Sequence, residues 1–542
     1  YVHMDALKNE GDLDIVVDST IINGKPRLNT FTFLSILQSD TLDFAVNIST
    51  DTPNLFDQVN LNGIFFLPDS TDYGLQLRQS NLSLLQTPWI IDEYNLIRFG
   101  QGEITAENFS LRNKDRRIHI RNNGKKGLRV QLANFDFGFI DQAWDYDPLN
   151  FSGDFDMLVQ VDDVFEMSGV NAVINCEEFY INEDNFGQFR LDAYAPDLKA
   201  KANTIIALSK DTTQMEVEAA FNLADLREKG LLRRRLPEEQ QKNYLDLKVR
   251  FASFPMDIAE YWLGGGLKNT HGYFNADLQV SGLTSELDVG GYIEALNGGF
   301  TIQALQTHYT FKKGTIRASN DLFDATGTVI FDKYGNSAVV DGGITHERLR
   351  QLGLNARMRT RRFLGLDLAK GDNDLFYGKA IGSGEVLFTG DFQRPNIYVN
   401  ATVADSTSLV IPVSDEGERS DLNFVRFVNR HQETQQTNSN GNTKIKGLNL
   451  EMDIEVTEVA DLMMIFDEKA GDILRGRGRG NLRILLPRAE EFQMFGNVTV
   501  TGGDYLFTLY DVINKDFRIL PGGVISWNGD PLDAQIDIAA SY

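Results

Sequence analysis

Apolar and polar residues alternate with a period of two along most of this chain. Between 448 and 457 the apolar residues are Leu448, Leu450, Met452, Ile454 and Val456, and polar residues stand between them. Because successive side chains of a β-strand point to opposite faces, this pattern predicts a strand with one dry and one wet face. The alternation recurs at 155–161, 245–251 and 534–540. The sequence therefore predicts a mostly β protein.

Helical spacing is rare, and two polar segments interrupt the strand pattern. Short helices are predicted at 222–229, 256–263 and 421–429. Polar loops are predicted at 233–243 and 431–443. Strand patterning resumes after each loop, so we expect one continuous sheet with soft boundaries. The three regions that these boundaries define are 1–235, 236–435 and 436–542.

A long internal repeat links two distant parts of the chain. Gly291, Ile293 and Ala295 match Gly496, Val498 and Val500, about 205–210 residues later. A third, partial copy is 384–390. Repeated units of strand, glycine turn and strand predict a sheet that grows by stacking along one axis.

Composition and charge exclude several classes of protein. The 542 residues carry a net charge of −25, whereas nucleic-acid binding needs a surplus of Lys and Arg. The one cysteine excludes an internal disulfide, and no run of 18 apolar residues predicts a spanning helix. Residues 1–13 do not resemble a signal peptide, and we interpret Tyr1 as a cut point in a longer chain.

The sequence offers little catalytic chemistry. The six histidines are scattered, and Cys176 precedes two glutamates that would raise a thiol pKa. The tract 475–480, Arg-Gly repeated three times, has two interpretations: a phosphate- or RNA-binding segment, or a strand with arginines on its wet face. We favour the strand, because Leu482, Ile484 and Leu486 continue the parity of the glycines. We predict no catalytic residue, no metal site and no cofactor.

The C-terminal half resembles the TamB family in its Bacteroidetes-type form. Glycine- and aromatic-rich stretches carry this resemblance: 254–256, 272–282, 372–378, 384–390, 408–412, 502–507, 517–519 and 522–531. The last stretch, Gly-Gly-Val-Ile-Ser-Trp-Asn-Gly-Asp-Pro, is the most specific. Residues 1–230 match only in general texture.

The resemblance implies a fold and a location. TamB-like proteins are similar to AsmA-like and bridge-like lipid transfer proteins, which implies an elongated, bent β-sheet (a β-taco) with an apolar concave face. It further implies an AsmA-like repeat region at 1–235, TamB-like regions at 236–435 and 436–542, a periplasmic body, and an inner-membrane anchor upstream. The implied partners are phospholipid acyl chains and an outer-membrane barrel of the BamA/TamA superfamily.

These expectations converge on a lipid conduit between the inner and outer membranes. The residues predicted to line its groove are Leu448, Leu450, Met452, Ile454, Val456, Val498, Val500, Ile536 and Ile538. One alternative is a scaffold for outer-membrane barrel assembly that pairs its strand edges with client strands. Another is a secreted β-solenoid adhesin or carbohydrate-active protein, although solenoids usually repeat every ~20–30 residues and no such period is present.

Overall fold

The computed structural model describes most of the chain, in segments. The described residues are 2–5, 10–17, 20–22, 25–28, 30–49, 56–67, 71–78, 81–84, 87–138, 150–197, 201–222, 244–262, 267–283, 286–302, 305–347, 349–372, 376–391, 394–412, 449–467, 472–488, 492–509, 513–531 and 533–542. They form two compact units, one of Tyr1–Arg250 with Val280–Ser285 and one of Phe251–Gln279 with Glu286–Tyr542.

The described structure is nearly all β, which confirms the predicted fold class. Its strands from the start of the chain to residue 255 are β1 (Val2–Asp5), β2 (Glu10–Val17), β3 (Thr20–Ile22), β4 (Lys25–Leu28), β5 (Thr30–Gln38), β6 (Thr41–Ser49), β7 (Phe56–Phe66), β8 (Asp72–Leu77), β9 (Asn81–Leu84), β10 (Thr87–Ile91), β11 (Leu96–Gly100), β12 (Glu103–Glu107), β13 (Phe109–Asn113), β14 (Arg116–Asn123), β15 (Gly127–Asp136), β16 (Phe151–Ser152), β17 (Asp154–Asp163), β18 (Ser168–Ile181), β19 (Asp184–Asp197), β20 (Lys201–Lys210), β21 (Thr213–Asn222) and β22 (Tyr244–Pro255).

One short helix and eighteen strands follow in the described residues. They are α1 (Ile258–Trp262), β23 (Leu267–Leu283), β24 (Glu286–Ile302), β25 (Thr307–Ala318), β26 (Leu322–Asp324), β27 (Thr328–Phe331), β28 (Ser337–Glu347), β29 (Arg350–Leu368), β30 (Tyr377–Asp391), β31 (Arg394–Val403), β32 (Ser408–Pro412), β33 (Asn449–Val456), β34 (Asp461–Asp467), β35 (Asp472–Leu486), β36 (Gln493–Leu509), β37 (Ile513–Ile519), β38 (Val524–Gly529), β39 (Gln535–Asp537) and β40 (Ala540–Ser541).

The helix α1 confirms the prediction at 256–263. Of the other two predicted helices, 421–429 lies outside the described residues, and so does 222–229 except for Asn222, which is the last residue of β21. The polar loops and the boundaries near 235 and 435 also lie outside the described residues. Those boundaries stay predictions. No helix of the described chain is long and apolar enough to span a bilayer.

In the first unit the strands β13 to β21 form an antiparallel meander that the short β16 joins at one side. Aromatic rings pack along one margin of its dry face. Trp89 stacks on Phe135 at 5.5 Å between ring centroids, and Phe137 lies 4.7 Å from Phe155 and 5.0 Å from Phe179. Aromatic side chains between β10 and β18 therefore form a continuous packed layer along this side of the sheet.

In the second unit long strands pair with two shorter strands each. β30 pairs with β31 along one half and with β32 along the other, and β35 pairs in the same way with β33 and β34. A turn of the chain separates β31 from β32, and another separates β33 from β34. Thr407, in the first turn, is buried and its hydroxyl bonds both the N–H and the carbonyl of Ile381. These contacts fix where the sheet turns.

One feature of the second unit departs from the antiparallel pattern. β31 pairs with β33, and β32 with β34, in parallel. Residues 413–448, which the structure does not describe, lie between the two strand pairs in the chain. The sequence predicts strands on both sides of this segment, and the structure adds that they run side by side in the same direction.

Candidate functional site

The most continuous feature of the second unit is an apolar row that crosses seven strands. Each member faces the next in the register of the sheet, so all of them project from the same face. The members are Val340, Met358, Val386, Val399, Met452, Ile484 and Met494. We call this the Met452 row. At a strand spacing of about 4.8 Å it runs for roughly 29 Å.

Packing along the Met452 row is uneven. At one end Val340 and Met358 pack against a cluster of buried residues that includes Phe311, Ile330 and Phe363. At the other end Met494 belongs to a second cluster, which also contains Val498 and Trp527.

Between these clusters the middle of the row is half-buried. Val386, Val399 and Met452 retain part of their surface, and so do Leu450 and Ile454 on either side of Met452. None of these five residues belongs to either packed cluster. An apolar face that stays partly accessible between two closed ends can accept an apolar ligand.

The predicted groove residues divide between the open and the packed parts of this face. Leu450, Met452 and Ile454 lie in the half-buried middle. Val456 and Ile538 pack against the C-terminal cluster. Leu448 lies outside the described residues.

The remaining three predicted residues differ in exposure. Val498 and Val500 are members of the C-terminal cluster, each only 5% exposed. Ile536 faces Ile525 across β38 and β39 but is 42% exposed. Val386, Phe388, Ile397 and Val399 were not predicted, although the alternation within 384–390 and 397–401 carries the same signal.

The opposite face of the same strands is charged. Glu451, Asp453 and Glu455 alternate with the apolar residues of β33, and Arg483 forms an ion pair with Glu451. Arg359 pairs with Asp341 across β28 and β29. The glutamate side chain of Glu455 accepts a 2.7 Å hydrogen bond from Thr402. Cross-strand pairs of opposite charge contribute modestly to stability and keep this face wet.

The arginine–glycine tract belongs to this wet face. Residues 475–480 lie in β35, where Arg475, Arg477 and Arg479 are exposed and Gly478 is buried. Arg477 forms a 2.6 Å ion pair with Asp461 and Arg479 a 3.8 Å pair with Glu458. The interpretation of this tract as a strand is confirmed, and two of its three arginines are partnered by carboxylates, one on β34 and one in the turn before it.

The first unit carries an equivalent apolar row. It crosses nine strands from β10 to β21 through facing residues of one parity. The members are Ile91, Leu111, Ile118, Leu132, Met157, Ile174, Leu191, Ile206 and Val217. All except Ile91 are half-buried. Each unit therefore presents a row of the same kind.

The described residues show no group suited to nucleophilic or metal chemistry. Cys176 is buried in the dry face, and desolvation raises the pKa of its thiol, which keeps it protonated. No cluster of three or more His, Cys, Asp or Glu side chains in the described segments could hold a metal ion. The features that remain are two apolar rows and their charged outer faces.

The second unit contains two stacked histidines, from which we predict how its stability depends on pH. The rings of His271 and His308 lie 5.5 Å apart, and desolvation, with a smaller contribution from His271, lowers the pKa of His308. Desolvation also lowers the pKa of His346. A histidine whose pKa is depressed in the folded state contributes its full stability above about pH 6.5, and the contribution is lost as the pH falls below that value.

We therefore expect the free energy of unfolding to decrease between about pH 7 and pH 5.5. Urea titrations followed by tryptophan fluorescence will measure the decrease, and His308→Gln is expected to make it smaller. An identical decrease in this variant would contradict a role for the stacked pair.

The fold and the two rows define a class: a many-stranded β-protein that presents a continuous apolar face opposite a charged one. Residues 327–542 match the family model of the TamB C-terminal domain. The match confirms, for these residues, the predicted resemblance to the TamB family. No curated protein and no solved structure matches the chain.

A TamB domain implies involvement in the translocation and assembly module and in outer-membrane biogenesis. The TamB family is a transport and assembly family of the cell envelope, and it works with TamA, a member of the BamA superfamily. The matched segment contains the whole Met452 row, from Val340 to Met494.

Proposed function

We propose that this protein conducts phospholipid along its apolar face, as part of a periplasmic bridge between the inner and outer membranes. The observation that supports the proposal is the half-buried middle of the Met452 row. Acyl chains that replace water there gain about 0.8 kcal/mol for each buried CH₂ group. A row of similar apolar side chains offers similar affinity at each step, which favours movement along it.

The charges of the protein fit the same proposal. The described strands of the Met452 row carry their ion pairs on the opposite face. A lipid tail on the apolar face therefore does not remove water from these ion pairs, which would be costly. The net charge of −25 keeps a scaffold with so much apolar surface soluble. In this proposal an anchor upstream of the chain supplies the inner-membrane contact, and a TamA-like barrel receives the lipid.

A scaffold for barrel assembly is the second candidate, and the edge of the C-terminal strands favours it. β39 pairs with β38 and β40 with β37, and Ile536 on β39 is 42% exposed. A strand with one unpaired side can add a strand of another protein through main-chain hydrogen bonds. The two functions can coexist, because one uses the apolar face and the other a sheet edge.

Photocrosslinking at neighbouring positions tests the conduit. A benzophenone amino acid at Met452 is expected to give phospholipid adducts in cells, because this position lies on the half-buried apolar face. At Glu451, one residue away on the charged face, we expect adducts at background level. Val399 and Tyr398 on β31 provide a second matched pair. Equal lipid adducts at both members of each pair would refute a conduit on this face.

A further inference from the structure

The wet face of the first unit contains a depression of about 460 Å³. A cross-strand row of Asn171, Tyr194 and Asn203 forms part of its wall, on β18, β19 and β20. These residues have the opposite parity to the apolar row of this unit, so the depression lies on the opposite face of the sheet from that row. Tyr194 is 49% exposed and its neighbour Ile205 is 47% exposed. The ring of Tyr194 therefore offers exposed aromatic surface between two side-chain amides.

Two carboxylates of the wall are held in ion pairs. Arg190 holds Asp192 through two hydrogen bonds, of 2.6 Å and 3.0 Å. Arg250 forms ion pairs with Glu218 and, at 3.1 Å, with Glu216. Charges that already have partners attract a charged ligand only weakly, which favours an uncharged ligand at this site.

One acceptor in the wall remains unused. The Oδ1 atom of Asp246 is buried and has no hydrogen-bond partner in the described chain. A buried carboxylate oxygen without a donor is costly, and a hydroxyl group of a ligand would supply that donor. The site thus combines an exposed aromatic ring, two amides and one unsatisfied acceptor, beside carboxylates that are held in ion pairs.

From this combination we propose that the depression binds a neutral saccharide. Tyr194 packs against the apolar C–H face of a pyranose ring, Asn171 and Asn203 bond hydroxyls at its edge, and Asp246 accepts a further hydroxyl. The proposal is independent of the lipid conduit, which uses the other face of the sheet. It gives the first unit a contact with glycan, either a free chain or a sugar carried on a lipid.

Calorimetric titration of the whole chain with soluble oligosaccharides tests the proposal. The probes are a β-1,4-linked N-acetylglucosamine tetramer and an α-1,4-linked glucose tetramer, and vesicles that contain a neutral glucosyl lipid form a second arm. We expect saturable binding in at least one arm, and the arm that binds identifies the source of the sugar. No saturable binding in either arm overturns the proposal.

Variants of the tyrosine separate stacking from general effects. Tyr194→Ala is expected to weaken binding roughly tenfold, whereas Tyr194→Phe keeps the ring and is expected to bind nearly as well as the wild type. Tyr292→Ala removes a tyrosine that is 51% exposed in the second unit and should leave binding unchanged. Circular dichroism checks that each variant is folded. Equal affinity of Tyr194→Ala and the wild type contradicts the site.

Discussion

Replacing Gly496 by alanine is expected to lower the free energy of unfolding of the second unit by about 4 kcal/mol. Gly496 has a φ of +121°, in a region that side chains rarely adopt. A β-carbon at this position would overlap the carbonyl oxygen of Asn481 on the neighbouring strand. Because that oxygen belongs to the backbone of β35, it can move aside only if the ladder between β35 and β36 opens.

The same strand contains a matched control for this substitution. Gly502 also lies in β36, but a β-carbon there would meet no atom within 4 Å. Gly502→Ala is therefore expected to change stability by less than about 1 kcal/mol. Differential scanning calorimetry should show a transition roughly 10 °C lower for Gly496→Ala than for Gly502→Ala. Similar transition temperatures would show that the backbone of β36 adapts without cost.

The backbone conformation of Gly496 also gives the internal repeat a physical basis. Gly291 has a φ of +125°, close to that of Gly496, and its β-carbon would overlap the carbonyl oxygen of Asp277 in the same way. The partial third copy contains Gly384, whose φ is also positive. Gly291 and Gly496 therefore occupy equivalent positions, where a long strand approaches the backbone of the preceding strand, whereas Gly384 approaches the backbone of the following strand, β31, at Asn400. The repeat detected in the sequence is a repeat of this backbone geometry.

The sequence predicts which side chains of a strand share a face, because alternation along the strand alone determines it. Every apolar residue from Leu450 to Val456 lies on the face that the alternation assigns to it, and the exposed arginines of 475–480 follow the same rule. Such prediction fails where a bulge interrupts the period. In β29 the register shifts between Thr360 and Phe363, and the adjacent residues Phe363 and Leu364 are both buried.

The exposure of each predicted groove residue could not be derived from alternation. Met452 and Val500 belong to similar patterns, yet one is half-buried and the other is packed in a cluster. The difference arises from long-range neighbours: Val500 shares its cluster with Met464, Ile519 and Trp527, which come from three other strands. The parallel pairing of β31 with β33 is equally non-local, because residues 413–448 separate the two strands in the chain.

The substitution Met452→Asp is expected to stop lipid transfer with little loss of stability. The side chain stands in the half-buried middle of its row, next to Val399 and Ile484. An ionised carboxylate there keeps its hydration only while no acyl chain covers it, and removing that hydration costs several kcal/mol. Since each 1.4 kcal/mol corresponds to a factor of ten, transfer past this point should fall at least roughly a hundredfold. A charge at Val500 would be less informative, because it would disrupt the packed cluster as well.

The measurement is the delivery of pulse-labelled phospholipid to the outer membrane, in cells whose only copy of the whole protein carries the substitution. Asn497→Asp is the matched control: it adds the same charge to the exposed face of β36, opposite Asn481 and Ser526, and should leave delivery unchanged. Equal protein levels and unfolding temperatures ensure that a defect reflects the groove. Normal delivery with Met452→Asp would exclude this face as the path of the lipid and would leave the barrel scaffold as the better explanation of the TamB domain.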